Sequence, residues 1–223
     1  MSSLLANRRV FDAAPVADKA VLDALAPIPV AHLSDNLARQ VGIKQLHRYN
    51  RNGKLIGTAI TVKTRPGDNL MIYKAMEQVQ PGHVLVIDAG GSLDNAVIGE
   101  IMKRYLQQHG CAGIVVDGAI RDVAAFESDS FPCYAAGHTH RGPYKDGPGE
   151  VNVPVTIQGQ VVQPGDIIVG DEDGVVCFAP QAAQELIAAA LLHGKKEEEI
   201  MAEIATGAKQ QSWMQKAYAA KGL

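Results

Sequence analysis

Two short apolar runs constrain this chain more than anything else in it. They are Val84-Leu85-Val86-Ile87 and Gly113-Ile114-Val115-Val116, separated by one segment of helix length. Runs of this kind, without polar alternation, read as strands buried on both faces. The stretch from Asn95 to His109 reads as the intervening helix, closed by Gly110. Strand, helix, strand at this spacing makes a βαβ unit, with parallel neighbours and a right-handed crossover. The fold class expected is therefore α/β.

The flanking segments add detail. Ala17 to Arg39 reads as two short helices broken at Pro27 and Pro29, and Leu55 to Lys63 as a strand. Pro66-Gly67 makes a turn, Asp68 or Asn69 caps, and Leu70 to Val79 is a helix. Val155 to Val162 reads as a hairpin around Gly159, followed by strands at Ile167–Gly170 and Val175–Phe178. Gln181 to about Met214 closes the chain as a helical segment, interrupted near Gly194 and Gly207. Gln80-Pro81-Gly82-His83 and Gln163-Pro164-Gly165-Asp166 echo each other as shared turn chemistry before a strand, not as a repeat. No linker divides the chain, so residues 1–223 read as a single domain with a mixed sheet.

Composition excludes several functions. The 223 residues carry 21 Lys+Arg against 24 Asp+Glu, a net charge of −3, which argues against a phosphate-neutralising nucleic-acid surface. The longest apolar run, Leu186 to Leu192, is far short of the ~20 residues that span a bilayer. Residues 1–10 lack the apolar core of a secretory leader. Cys111, Cys133 and Cys177 are odd in number and widely spaced, as in a protein kept in a reducing, cytoplasmic setting.

Ligands of open α/β sheets gather beyond the carboxyl ends of the strands. Two polar loops stand there: Asp88 to Ser92, and Asp117-Gly118-Ala119-Ile120-Arg121-Asp122. Gly90-Gly91 lacks the glycine spacing of a dinucleotide site and reads as a tight turn. Gly99 costs a helix ~1 kcal/mol relative to alanine. It is either a packing glycine or the point where a helix restarts; a restart would leave the amides of Gly99, Glu100, Ile101 and Met102 as an anion site. Arg121 offers a planar fork for a carboxylate or oxyanion, and Asp122 hard oxygens for Mg²⁺. His138 and His140, if both lie in a strand, would face one side as a transition-metal pair; with Arg141 and Lys145 they also suit a loop that contacts a distal carboxylate. Asp171-Glu172-Asp173-Gly174 lacks the closing Glu of a calcium loop and reads as a turn.

Gly99-Glu100, a twenty-residue gap and Arg121-Asp122 resemble the signature of the class II pyruvate aldolases in the RraA-like (regulator of ribonuclease activity A) superfamily. Pro66-Gly67-Asp68-Asn69-Leu70, Thr139-His140-Arg141-Gly142-Pro143 and Gly170-Asp171-Glu172-Asp173-Gly174-Val175 match the branch that acts on 4-hydroxy-4-methyl-2-oxoglutarate and 4-carboxy-4-hydroxy-2-oxoadipate. The resemblance runs from about Pro29 to Gly207. It implies a swivelling β/β/α-type sandwich, assembled as a trimer or hexamer with active sites between subunits. It also implies Asp122 as the direct ligand of Mg²⁺ or Mn²⁺, Arg121 on the pyruvyl oxygens, and Gly99, Glu100, Ile101 and Met102 holding the pyruvyl carboxylate through their amides. Glu100, and Glu197 from the neighbouring subunit, would reach the metal through water, with Glu198 and Glu199 leaving that register open. One departure stands out: the acid often found three residues after the motif Asp is replaced by Ala125, and Glu127 is out of register.

The activity so implied is metal-dependent retro-aldol cleavage of a 4-hydroxy-2-oxo di- or tricarboxylic acid, releasing pyruvate through an enolate. Oxaloacetate decarboxylation, which shares that enolate, and non-catalytic binding of RNase E are the alternatives.

Overall fold

The computed structural model describes residues 9–223, so the leader reading of residues 1–10 falls almost wholly outside the described residues. Helices α1 (Lys19–Leu25) and α2 (Val30–Asn36) come first, parted at Pro27 and Pro29 as expected. Strands β1 (His47–Arg48) and β2 (Leu55–Thr64) lead to α3 (Leu70–Met76) and β3 (His83–Asp88). The middle of the chain is β4 (Ala96–Ile98), α4 (Glu100–Gln108), β5 (Gly113–Ile120), α5 (Val123–Glu127) and β6 (Cys133–His138). After β7 (Gly149–Val151) come the hairpins β8 (Val155–Ile157) with β9 (Gln160–Val162), and β10 (Ile167–Asp171) with β11 (Gly174–Phe178). Helices α6 (Ala183–Ala205) and α7 (Ser212–Ala219) finish the chain.

The main sheet runs β1-β6-β5-β3-β2-β10-β11, with β4 added beside β5 and β7 beside β2. Its centre is parallel (β2, β3, β5 and β6) and its flanks are antiparallel, the mixed α/β sheet expected of the sequence. Because side chains alternate along a strand, the sheet feeds two cores. Ile60, Val62, Leu85, Ile87, Ile114 and Val116 pack under α3 and α4 with Ile72, Leu106 and Phe126. Ala59, Val84, Val86 and Val115 face the β8–β9 hairpin through Val155, Ile157 and Val162. A third cluster joins α1, α2 and α6 to β10 and β11 through Leu25, Leu33, Ile167, Val169, Leu186 and Ala190. Among the described residues no helix is long and apolar enough to cross a membrane.

The echoing turns are built alike. In each, the last residue's side chain accepts the first residue's N–H: His83 Nδ1 from Gln80 at 3.1 Å and Asp166 Oδ2 from Gln163 at 2.8 Å. Gly82 and Gly165 supply φ of +95° and +90°.

Three expectations are corrected. Asn95 does not open a helix: Ala96–Ile98 extends beside β5, and α4 starts at Glu100. Asp117 does not open a loop: β5 continues through Gly118 to Ile120, and a Cβ at Gly118 would stand 2.9 Å from that of Ala89, so this glycine serves close packing. Gly194 does not interrupt α6. It lies against the His32 ring, which a Cβ would meet at 3.4 Å, and the helix ends only near Gly207, where φ is +73°.

Candidate active site

The short strand β4 delivers the chain to the start of α4, and β5 delivers it to Arg121-Asp122 alongside. The two ends are sewn together: the Arg121 N–H donates to Ile98 O at 2.9 Å, and the Glu100 N–H donates to Asp122 Oδ2 at 2.9 Å. Gly99 sits between them with extended backbone (φ −146°), so conformation does not require a glycine there. Space does. A Cβ at Gly99 would lie 2.6 Å from Asp122 Oδ2 and 3.2 Å from Arg121 Nε. Asp122 itself holds left-handed backbone, φ 59° and ψ 42°, a conformation that costs an L-residue about 1 kcal/mol or more and is tolerated best by Asp and Asn.

The restart at Gly99 thus exists, but its anion site is not wholly free, which corrects the expectation. The Glu100 amide is taken by the protein's own Asp122, whose carboxylate lies at the positive end of α4. Ile101 and Met102 supply the next first-turn amides, which have no acceptor within the helix. Asp122 Oδ1 receives no hydrogen bond from the described residues. The Arg121 side chain, 42% exposed, passes 3.9 Å from Asp122 Oδ2 and donates no side-chain hydrogen bond among the described residues. The fork lies close under the 139–143 segment, since a Cβ at Gly142 would meet Arg121 Nη1 at 3.1 Å.

These groups open on a cavity of about 370 Å³. Gly99, Ile101, Met102, Arg121 and Asp122 line it, as does Lys145. The opposite wall was not foreseen: Asn69, Tyr73, Met76 and Glu77 recur at i, i+4, i+7 and i+8, one face of α3. Tyr105 extends the α4 wall one turn beyond Ile101.

Other predicted residues lie apart. The Glu100 carboxylate turns to Arg104, accepting from its Nε at 2.8 Å, and does not line the cavity. Glu197 lies on α6, accepting from His32 Nε2 at 2.8 Å and standing 3.3 Å from His193 Nε2. The His32 bond is the main reason its carboxyl is held below the usual range. Within its own chain Glu197 is not part of the cavity lining. At Ala125 the backbone carbonyl accepts from Lys103 Nζ, which also pairs with Asp129 Oδ2 at 2.5 Å. Buried Lys103 therefore ties α4 to the α5 turn, an arrangement the sequence reading missed; Glu127 does not reach the cavity.

His138 and His140 do not form a strand pair: β6 ends at His138, whose Nδ1 lies 3.1 Å from the Tyr49 hydroxyl, and His140 is in the following bend. Asp88 and Asp117 serve the β8–β9 hairpin instead of a ligand; Asp117 accepts from Gln158 Nε2 at 2.6 Å and Asp88 from Thr156 N at 3.4 Å. Asp171 to Gly174 is the turn expected, with Asp173 N on Asp171 Oδ1. All three cysteines are free and buried, and burial pushes Cys111 up to about 11 and Cys177 up to about 12.

The donor set bears on the metal. Among the described residues no three His, Cys, Asp or Glu side chains converge on a metal position. A single carboxylate with one uncommitted oxygen suits a hard ion that keeps most of its water, the habit of Mg²⁺ and Mn²⁺, and not a four-ligand zinc centre.

The architecture is that of a mixed-sheet α/β protein with a helix N-terminus, an arginine and a carboxylate on one cavity. The chain belongs to the RraA-like family (Aldolase/RraA), which matches residues 21–177. A Halalkalibacterium halodurans protein named "Putative 4-hydroxy-4-methyl-2-oxoglutarate aldolase" is 40% identical over 159 residues, covering 71% of this chain and 75% of that one. Among solved structures, an uncharacterized protein of Pseudomonas syringae pv. tomato superposes with a TM-score of 0.79 at 29% identity, covering 89% and 94% of the two chains. Streptomyces coelicolor RraAS2, described as an unusual member of the RNase ES inhibitor RraA family, gives 0.75 at 31% identity, covering 81% and 95%.

Proposed function

We propose that this protein is a divalent-metal-dependent lyase that cleaves a 4-hydroxy-2-oxo di- or tricarboxylic acid and releases pyruvate. The observation that carries the reading is the junction, tied by the Glu100 amide, that brings Gly99, Arg121 and Asp122 onto one cavity, together with the aldolase name of the Halalkalibacterium relative.

Asp122 is the residue that would hold Mg²⁺ or Mn²⁺ directly, with Glu100 and the neighbouring subunit's copy of Glu197 reaching it through water. The metal, when bound, polarises the 2-oxo group and offsets charge that develops on it. The chain's residues do the rest. The Ile101 and Met102 amides orient the pyruvyl carboxylate at the positive end of α4. With its side chain turned from Arg104 toward the cavity, Glu100 would hold a water that relays the C4 hydroxyl proton to the Glu100 carboxylate. The C4–O bond becomes a carbonyl, the C3–C4 bond breaks, and its electron pair passes into the C2–C3 enolate, whose oxygen the Arg121 fork stabilises. Protonation at C3 then yields pyruvate. Lys145 is the cation placed for a distal carboxylate. No Schiff-base lysine is needed. Oxaloacetate decarboxylation reaches the same enolate by loss of CO₂ and accompanies the aldolase activity.

A trimer or hexamer with shared sites is part of the proposal. In the single chain, large apolar side chains stay uncovered beside the cavity: Ile101 is 82% exposed, and Tyr73 and Tyr105 are also exposed. The two histidines on Glu197 single it out from Glu198 and Glu199, which have no such partners among the described residues.

The likeness to RraAS2 supports a second reading, binding to an RNase E-type ribonuclease. A coupled pyruvate-release assay across several 4-hydroxy-2-oxo acids and oxaloacetate, beside a pull-down with RNase E, separates the two. Pyruvate formed only with added Mg²⁺ or Mn²⁺ is expected; ribonuclease capture without any turnover would reverse the assignment.

A further inference from the structure

One carboxylate beside the cavity is more heavily bonded than its place in a turn requires. Asp68 is fully buried and receives four N–H groups. Leu70 N donates to Oδ1 at 2.9 Å. Asp146 N, Gly147 N and Arg65 Nη2 donate to Oδ2 at 2.7, 3.0 and 3.1 Å. Around this knot the backbone is stitched twice more: Asn69 N donates to Tyr144 O at 3.0 Å, and Tyr144 N to Gly67 O at 2.9 Å. Residues 67–70 and 144–147 are thereby locked into one strap. The strap carries Asn69, from one segment, and Lys145, from the other, onto the cavity wall.

We infer that Asp68 is a positioning residue: by fixing residues 144–147 against 67–70 it seats Lys145 and so sets the affinity for the substrate's second carboxylate. This rests on the oxo-acid reading above. The chemistry of the knot explains why the residue is an acid. All four partners are donors, and three of them share one oxygen, which an ionised carboxylate accommodates. An asparagine amide would turn its NH₂ toward either Leu70 N or the Asp146–Gly147 pair, setting donor against donor and freeing one end of the strap. Burial works against the charge, yet the three backbone N–H bonds and Arg65 outweigh it and hold the Asp68 carboxyl below its ordinary range.

Pyruvate lacks the second carboxylate, so it reports on the α4–Arg121–Asp122 side of the cavity alone. The test compares KM and kcat for a 4-hydroxy-2-oxo dicarboxylic acid, and the inhibition constant of pyruvate, in wild type, Asp68→Asn, Lys145→Met and the double variant, with native folding checked by circular dichroism. Expected for Asp68→Asn is a KM raised about 10-fold, the size of one lost charge-assisted contact, with kcat and pyruvate inhibition within about 2-fold of wild type. Lys145→Met should match it, and the double variant should add nothing further, since both act through one contact. Arg65→Gln trims the same knot from the solvent side and should shift KM in the same direction by less, which keeps the test open should Asp68→Asn not fold. An active wild type in which Asp68→Asn weakens pyruvate and substrate alike, lowers kcat alone, or adds fully to Lys145→Met overturns this inference alone. A wild type that turns over no such acid overturns the oxo-acid reading with it.

Discussion

The Glu100 amide and the Asp122 carboxylate, 2.9 Å apart, join the start of α4 to the turn after β5, and the absent side chain of Gly99 is what lets them meet. Gly99→Ala would press a methyl onto Asp122 Oδ2 and the Arg121 stem. Misplacing a reacting group by about 1 Å costs on the order of 10²-fold in rate. The expected outcome is a loss of that size in kcat/KM with a Tm within a few degrees of wild type, since alanine adopts the extended backbone seen there. Full activity in Gly99→Ala would show that the junction does not set the site.

Arg121 is expected to act on the enolate as it forms, so its loss should lower kcat as well as raise KM. Removing one oxyanion donor typically costs ~10²–10³ in kcat. Arg121→Lys keeps the charge and loses the fork, and should stay impaired. Unchanged kcat with raised KM in both variants would reduce Arg121 to a ground-state binder.

Glu197 tests the shared site. Its carboxylate is fixed by His32 of α2 and His193 of α6, away from its own chain's cavity. If it reaches the neighbouring subunit's metal through water, its loss is expected to cost ~10–100-fold. Asp122→Ala and Glu197→Ala, each weakly active alone, should recover part of the activity when unfolded together and reassembled as hybrids. Inactive hybrids, or a fully active Glu197→Ala, would place a complete site in each chain.

His83 sets a pH dependence of stability. It is buried, its Nδ1 accepts from Gln80 N at 3.1 Å, and its Nε2 donates to Ala14 O at 2.9 Å, so the folded ring is neutral. Burial, the leading cause, lowers its pKa below the model-peptide value of 6.5. Between the folded value and 6.5 the unfolded chain binds the extra proton, so stability is full above 6.5 and falls as pH drops through that window. Each 1 kcal/mol so lost would lower Tm by roughly 2–4 °C in a chain of this size. Thermal melts from pH 8 to pH 5 should show the decline, and His83→Gln should flatten it; identical slopes would assign the effect to other groups.

The sequence displays its parallel core plainly because Val84–Ile87 and Ile114–Val116 are apolar on both faces, the first preceded by Pro81-Gly82 and the second by Gly110 and Gly113. Strand β4 is hidden by its length: three residues before a helix look like that helix's first turn. Strand β6 is hidden by composition, since Ala135-Ala136-Gly137 carries no β-branched residue. At the site, Arg121 and Asp122 are legible through their spacing from Gly99-Glu100 and their place beyond the carboxyl end of an apolar strand. The α3 wall and the Lys103–Asp129 pair are not, since each is defined by a tertiary contact across more than twenty residues.

The central claim is that this cavity stabilises a pyruvate enolate, and it can be tested without knowing the C4 substituent. Pyruvate is incubated with the protein and Mg²⁺ or Mn²⁺ in D₂O, and loss of the C3 methyl proton signal is followed by NMR. The expected result is deuterium exchange by the wild type, abolished by a chelator, restored by adding the metal back, and absent in Arg121→Ala and Asp122→Ala. No exchange by the metal-replete wild type, or exchange indifferent to both chelator and Asp122→Ala, would contradict the account.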